Sequence, residues 1–276
     1  MLLVANGLAR TFGRHQAVTD ATVALTAGRV TGLVGPNGAG KTTLLLMLAG
    51  LLRPTSGTLE LDGAPPDPTA LRARVGWMPD VFGTWDTLTP VEILRTFGRL
   101  YGLSPDAARA RAAELLEDVH LAEYAARPAQ ELSRGQKQRL GYARARVHTP
   151  SVLLLDEPAS GMDPRSRREL RDSLRAFAGQ GGAVLVSSHI LSELTEMVDD
   201  VVMMTGGRTS APPDATARTW RVRLVGELAP KTMPFPSEVA AAAYLSEQIT
   251  AGARVAEFTP TSALEDSYLA LEADRT

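Results

Sequence analysis

Cysteine is absent from the 276 residues, which excludes disulfides and thiolate metal sites and fits a reducing compartment. No apolar run approaches the length of a membrane span, and the opening Met1-Leu2-Leu3-Val4-Ala5-Asn6 lacks the basic and apolar regions of a signal peptide. A soluble, intracellular chain is therefore expected, so that any role at a membrane requires a partner to supply the spans. Charge of either sign is barely in excess: 29 basic against 31 acidic residues leave a formal net charge of −2, which offers no bulk attraction to nucleic acid. Lysine is scarce, standing only at Lys41, Lys137 and Lys231, and aromatics make up 5% of the chain. The length allows one large domain, or a domain with a small appendage, and a substantial core.

Organisation follows from the apolar patterning. Residues 2–11 and 17–26 alternate apolar and polar side chains as half-buried strands do, and the segment 57–63 reads as a strand closing in a turn. Pro90 opens a helix through Tyr101, Ser104-Pro105 caps and starts the next, and Asp163-Pro164 starts another. Strands return at 152–156, 183–188 and 200–205. The proline-bearing connector Ala211-Pro212-Pro213-Asp214 separates this body from a tail patterned strand, helix, strand, helix over about 219–272. The expected division is a body of residues 1–210 with a helical subdomain over about 82–150, a linker over 211–218 and a small α+β appendage over 219–276.

The densest chemistry lies in Gly35-Pro36-Asn37-Gly38-Ala39-Gly40-Lys41-Thr42-Thr43, which follows a short buried strand (Val30–Val34) and runs into an apolar helix. This is the context a phosphate-binding loop requires. Gly35, Gly38 and Gly40 let the backbone curl so that successive N–H groups, Asn37 included, point at an anion, aided by the helix N-terminus. Lys41 would reach the terminal phosphates as a point charge, the Thr42 hydroxyl would ligate Mg²⁺, and Thr43 would add a phosphate hydrogen bond. A second constellation closes the apolar run Val152-Leu153-Leu154-Leu155 with Asp156-Glu157. Charges at the carboxyl end of a doubly buried strand open on a crevice. There Asp156 would hold Mg²⁺ and Glu157 would polarise an attacking water.

These two motifs, with Leu132-Ser133-Arg134-Gly135-Gln136-Lys137-Gln138-Arg139 between them, resemble the ATP-binding cassette ATPases of ABC transporters. The resemblance covers roughly residues 1–210. It implies an α/β P-loop NTPase fold with a mostly parallel sheet, an N-terminal antiparallel β part and a helical subdomain. It also implies ATP and Mg²⁺ as cofactors, and Phe12 as an adenine platform, a place where a core role competes. Ser133, Gly135 and Gln136 would begin a helix, running to about His148, that faces the ATP of a second cassette. His189 would be a switch histidine beside the attacking water. Ser160-Gly161-Met162-Asp163 stands where the family makes contacts across the dimer, although Asp163 also suits a helix cap. A transmembrane permease on a separate chain would dock near residues 80–100, placing this chain at the cytoplasmic face of the cell membrane, with Phe82 and Trp85 as contacts.

Two positions depart from the family pattern. Asp80 stands where most members have a glutamine that ligates Mg²⁺; a carboxylate can do the same with one more negative charge, so coupling with altered Mg²⁺ dependence is expected. Arg134 replaces the usual glycine of the signature, and its guanidinium can reach a phosphate oxygen or Glu131. Together with the tail these features resemble the branch that serves exporters of drug-, antibiotic- or lipid-like molecules. A soluble repair or translation ATPase is the alternative, usually marked by paired cassettes, zinc modules or coiled-coil inserts that this chain lacks. A nucleotide sensor with weak hydrolysis is the other.

Overall fold

The computed structural model describes residues 1–81, 83, 87–190, 194, 197–211, 218–227 and 229–262. The chain divides into two compact units, Met1–Ser210 and Ala211–Thr276. In the first unit the described strands are β1 (Leu3–Phe12), β2 (His15–Leu25), β3 (Val30–Val34), β4 (Ser56–Leu61), β5 (Val75–Met78), β6 (Val152–Leu155), β7 (Ala183–Ser188), β8 (Asp200–Thr205) and β9 (Arg208–Ser210). They form one sheet in the order β4-β1-β2-β9-β8-β3-β7-β6-β5. From β8 to β5 every pairing is parallel, while β1 pairs antiparallel with β2 and β4. The short β9 is the seam between the two parts, antiparallel to β8 and parallel to β2.

Burial explains the pattern of each strand. All residues of β3, β6 and β7 are buried, which is why they read as unbroken apolar runs, whereas β1 and β2 alternate because one face meets water. Helix α1 (Lys41–Leu48) buries Leu44, Leu45, Met47 and Leu48 in a core shared by Leu8, Val18 and Leu25 of the antiparallel part and Leu33, Leu154 and Leu185 of the parallel part. Each such side chain contributes about 1.5–3 kcal/mol. Helices α2 (Pro68–Arg74), α3 (Pro90–Leu100), α4 (Pro105–Asp118) and α6 (Pro164–Gly179) each start with proline behind a capping Asp67, Thr89, Ser104 or Asp163. Helix α5 spans Arg134–Ala145 and stops short of the expected His148. Thr149 sits at φ 52° and precedes Pro150, which together disfavour a further helical turn.

Strand β5 lies so close to α5 that a Cβ built on Gly76 would sit 2.2 Å from the Ala145 carbonyl oxygen and 2.7 Å from Leu153 Cδ2. Gly76→Ala is expected to destabilise this unit by about 3 kcal/mol, read as a fall in melting temperature of roughly 6–12 °C in thermal circular dichroism. A fall of less than about 2 °C contradicts the close approach.

The second unit pairs β10 (Arg218–Leu224) with β11 (Lys231–Pro234) and β12 (Val255–Ser262) in an antiparallel sheet ordered β11-β10-β12, with α7 over Glu238–Thr250. Trp220 packs on Phe258 at 4.8 Å and Phe235 on Tyr244 at 5.2 Å between ring centroids. The expected pattern has a helix directly after the first strand; the structure puts β11 there. Its one proline, Pro234, sits poorly with a strand pattern, yet it is tolerated because β11 is an edge strand with an unpaired side. The final helix expected near 272 lies outside the described residues.

Candidate functional site

Strands β3 and β6 deliver chemistry from their carboxyl ends to one cleft of about 270 Å³, and β7 between them brings His189 into contact with Glu157. The glycine loop follows β3, His189 follows β7, and Asp156-Glu157 follows β6. Gly38 and Gly40 take φ 80° and 103°, a region nearly closed to side-chain-bearing residues. Gly35 is required for a different reason, because a Cβ there would lie 2.1 Å from the Met204 carbonyl oxygen. Asn37, Gly38, Gly40, Lys41, Thr42, Thr43, Asp80, Asp156 and Glu157 all line the cleft.

The polar groups are wired together. Lys41, buried, donates to the Gly35 carbonyl at 2.6 Å and lies 3.4 Å from Glu157 Oε1. His189 Nδ1 donates to Glu157 Oε2 at 2.8 Å, so both carboxylate oxygens are engaged. The Thr42 hydroxyl donates to Asp156 Oδ2 at 2.6 Å. Ser187, which no sequence motif singles out, donates its hydroxyl to Asp156 Oδ1 at 2.5 Å and accepts the Glu157 N–H at 3.0 Å. The one clue to it is a pair of serines ending an otherwise apolar strand. Glu157 itself adopts φ 50°, a strained position for a residue with a side chain that costs about 1–3 kcal/mol. The bond from Ser187 and another from Ser160 N–H to the Glu157 carbonyl at 3.1 Å hold it there.

Asp80 takes a place on the same wall. Burial, and then the Asp156 and Glu157 carboxylates, push its carboxyl above the ordinary carboxylate range, with Arg134 and His189 offsetting part of that effect. A carboxyl whose folded pKa exceeds its unfolded one carries stability at low pH that is lost as pH rises through the folded value. Asp80→Asn escapes that loss. In EDTA its melting temperature is expected to exceed that of the wild type near neutral pH and to converge with it as pH falls toward the ordinary value of 3.8. A constant difference across that window contradicts the assignment.

The remaining expected positions lie elsewhere. Phe12 ends β1 half-exposed, with the Arg10 guanidinium 4.6 Å from its ring centroid, and it is not on the cleft wall. Its register partner His15 is. Ser133 and Gln136 cap α5 reciprocally, Ser133 N–H donating to Gln136 Oε1 at 2.8 Å and Gln136 N–H to Ser133 Oγ at 3.3 Å. Gly135 faces open space, and none of the three lines this cleft. Asp163 caps α6 and is held at a pKa of about 2 by the Ser166 hydroxyl and the Ser166 and Arg165 amides. Arg134 reaches Ser160 Oγ at 2.8 Å. Trp77 and Phe97 line a second cavity of about 220 Å³; Phe82 and Trp85 lie outside the described residues.

An all-oxygen donor set of Thr42, Asp156 and Asp80 around one cleft suits a hard divalent cation that draws further ligands from water and phosphate. Among the described residues no cluster of three His, Asp or Glu side chains is arranged to hold a metal, and no helix is long and apolar enough to cross a membrane.

Comparison with known proteins bears on this cleft. A family profile described as ABC transporter matches residues 18–160. The chain is 44% identical over 210 residues to the probable multidrug ABC transporter ATP-binding protein YbhF of Escherichia coli (strain K12), covering 75% of this chain and 36% of that protein. It thus spans about a third of that relative's length. It is 36% identical over 211 residues to the daunorubicin resistance ATP-binding protein DrrA3 of Streptomyces coeruleorubidus, covering 76% of this chain and 67% of that protein. A solved ATP-binding subunit of an ABC transporter superposes with a TM-score of 0.68 at 27% identity, covering 76% of this chain and 90% of that one. The phosphate loop, the acidic strand end and the histidine bonded to it stand in a chain that belongs to the ABC transporter family, among its ATP-binding proteins.

Proposed function

We propose that the chain hydrolyses Mg-ATP between two cassettes and thereby drives a separate membrane permease that exports drug-, antibiotic- or lipid-like molecules. The observation that carries this is the convergence of Lys41, Thr42, Asp156 and Glu157 on one cleft, with His189 bonded to Glu157 behind them. The loop amides and Lys41 bind the phosphates of ATP, and Thr43 adds a hydrogen bond. Thr42 and Asp156, with Asp80, are the residues that would hold Mg²⁺, which when bound neutralises charge on the phosphate oxygens.

Glu157 accepts a proton from the attacking water as its oxygen bonds to the γ-phosphorus. The bond to the bridging oxygen breaks, and ADP departs with that oxygen. His189, bonded to Glu157 Oε2, aims the carboxylate; Ser187 ties Asp156 Oδ1 to the Glu157 N–H and so orients the two acids together. Because the start of α5 does not line its own chain's cleft, it is free to face the nucleotide of a second copy, with its N–H groups and positive dipole end toward the γ-phosphate. The adenine would rest near the β1–β2 hairpin, with Phe12 or His15 beside it.

The chain would sit at the cytoplasmic face of the membrane through its permease, with no nucleic-acid partner. Relatives named for multidrug transport, daunorubicin resistance and Nod factor export support an export role. Nucleotide binding by the purified full chain, with size-exclusion chromatography in ATP, tests the reading: Mg²⁺-dependent retention of ATP and an ATP-dependent shift to a dimer are expected, and a chain that retains no nucleotide overturns it. Asp80→Gln is expected to change the Mg²⁺ concentration needed for half-maximal hydrolysis; an unchanged Mg²⁺ profile removes Asp80 from the ligand set.

A further inference from the structure

Arg134 is the first residue of α5, and its side chain does not run along its own helix. It crosses to the loop that follows the acidic strand end, where its Nη2 donates to Ser160 Oγ at 2.8 Å. The guanidinium passes close against Gly161: a Cβ built there would fall 2.8 Å from Arg134 Nε, 2.9 Å from Cδ and 3.0 Å from Cζ. Gly161 also takes φ 71°, so one glycine satisfies both the turn and the close passage of the arginine. Ser160 is bonded in turn to the strained Glu157, through its N–H to the Glu157 carbonyl at 3.1 Å. Two hydrogen bonds therefore connect the start of α5 to the backbone of Glu157 within one chain. Neither Glu131 nor the cleft takes the arginine.

We infer that Arg134 is a positioning residue that ties the start of α5 to the loop carrying Glu157, so that a nucleotide gripped by α5 in the partner copy sets the carboxylate in this copy. The inference rests on the two-cassette reading above. A planar five-donor guanidinium is suited to the task, since it can lie over a glycine and still donate to a hydroxyl, which a lysine ammonium cannot reproduce. The Arg134 side chain does not line the cleft, and of the cleft's residues its charge is felt at Asp80, away from the glycine loop and Lys41, so the link acts on turnover rather than on ATP binding.

The test compares the wild-type full chain with Arg134→Gly, Ser160→Ala and the double variant in steady-state ATP hydrolysis, in melting temperature, and in ATP-driven dimerisation measured in a Glu157→Gln background. Arg134→Gly is expected to lower kcat about tenfold with KM for ATP, dimerisation and melting temperature unchanged. Ser160→Ala should match it, and the double variant should be no slower than either, because all three break one link. Arg134→Lys should recover only part of the loss. If Arg134→Gly weakens dimerisation while Ser160→Ala changes nothing, the arginine serves the nucleotide directly and the inference is overturned. Additive losses, or variants as fast as the wild type, overturn it equally, as does a rate loss that tracks a fall in melting temperature. A wild type that neither hydrolyses ATP nor dimerises with it overturns the underlying function, and this inference with it.

Discussion

Glu157→Gln is expected to cut ATP hydrolysis by roughly 100- to 10,000-fold, the range attributed to a positioned general base, while ATP remains bound. Glutamine keeps the length of the side chain and an acceptor oxygen for His189 Nδ1, now 2.8 Å from Oε2. It loses the basic oxygen that takes the proton from water. It also removes the negative charge 3.4 Å from Lys41, so that phosphate no longer competes with a carboxylate for that ammonium and affinity should be held or improved. Phosphate release under saturating Mg-ATP gives the rate, and equilibrium binding gives the affinity. A variant within tenfold of wild-type turnover would falsify Glu157 as the base.

Lys41→Ala is expected to weaken ATP binding by about 100-fold, close to 3 kcal/mol for removing a charge-assisted hydrogen bond from a buried site. The lysine is 6% exposed and its ammonium is confined between the Gly35 carbonyl and Glu157. Its removal leaves the Glu157 carboxylate bonded to His189. Arginine should not restore binding, because a fork of five donors does not fit where a point charge is enclosed by a loop. Titration with a fluorescent ATP analogue measures the loss, and affinity within fivefold of the wild type removes the lysine from the phosphate site.

The two motifs are legible because each is local: nine residues spell the glycine loop, and an apolar run ending in two acids marks a strand opening on a crevice. Their convergence is not legible from spacing, since Thr42 and Asp156 meet across 114 positions of sequence only because β3, β7 and β6 are neighbours. Ser187 stays hidden for the same reason: a serine at a strand end is ordinary until Asp156 and Glu157 stand on either side of it. Alternation reveals β1 and β2, but β9, at three residues, is too short to show a period, and β11 is masked by proline. The destination of Arg134 depends on how a loop folds after β6, which no local pattern encodes. At Phe12, family order points to the adenine, while the structure adds its register partner His15 on the cleft wall, a residue no sequence motif singles out.

The position of β9 has a mechanical consequence. Its partners on one side are Met203, Met204 and Thr205, and on the other Asp20 and Thr22, so it is the stitch between the two halves of the sheet. Just upstream, Gly207 N–H bonds the carbonyl of Ala39 in the glycine loop at 3.0 Å, and just downstream the chain enters the proline-bearing connector. Any tension in that connector is therefore delivered to the stitch first and, four residues earlier, to the backbone that cradles phosphate.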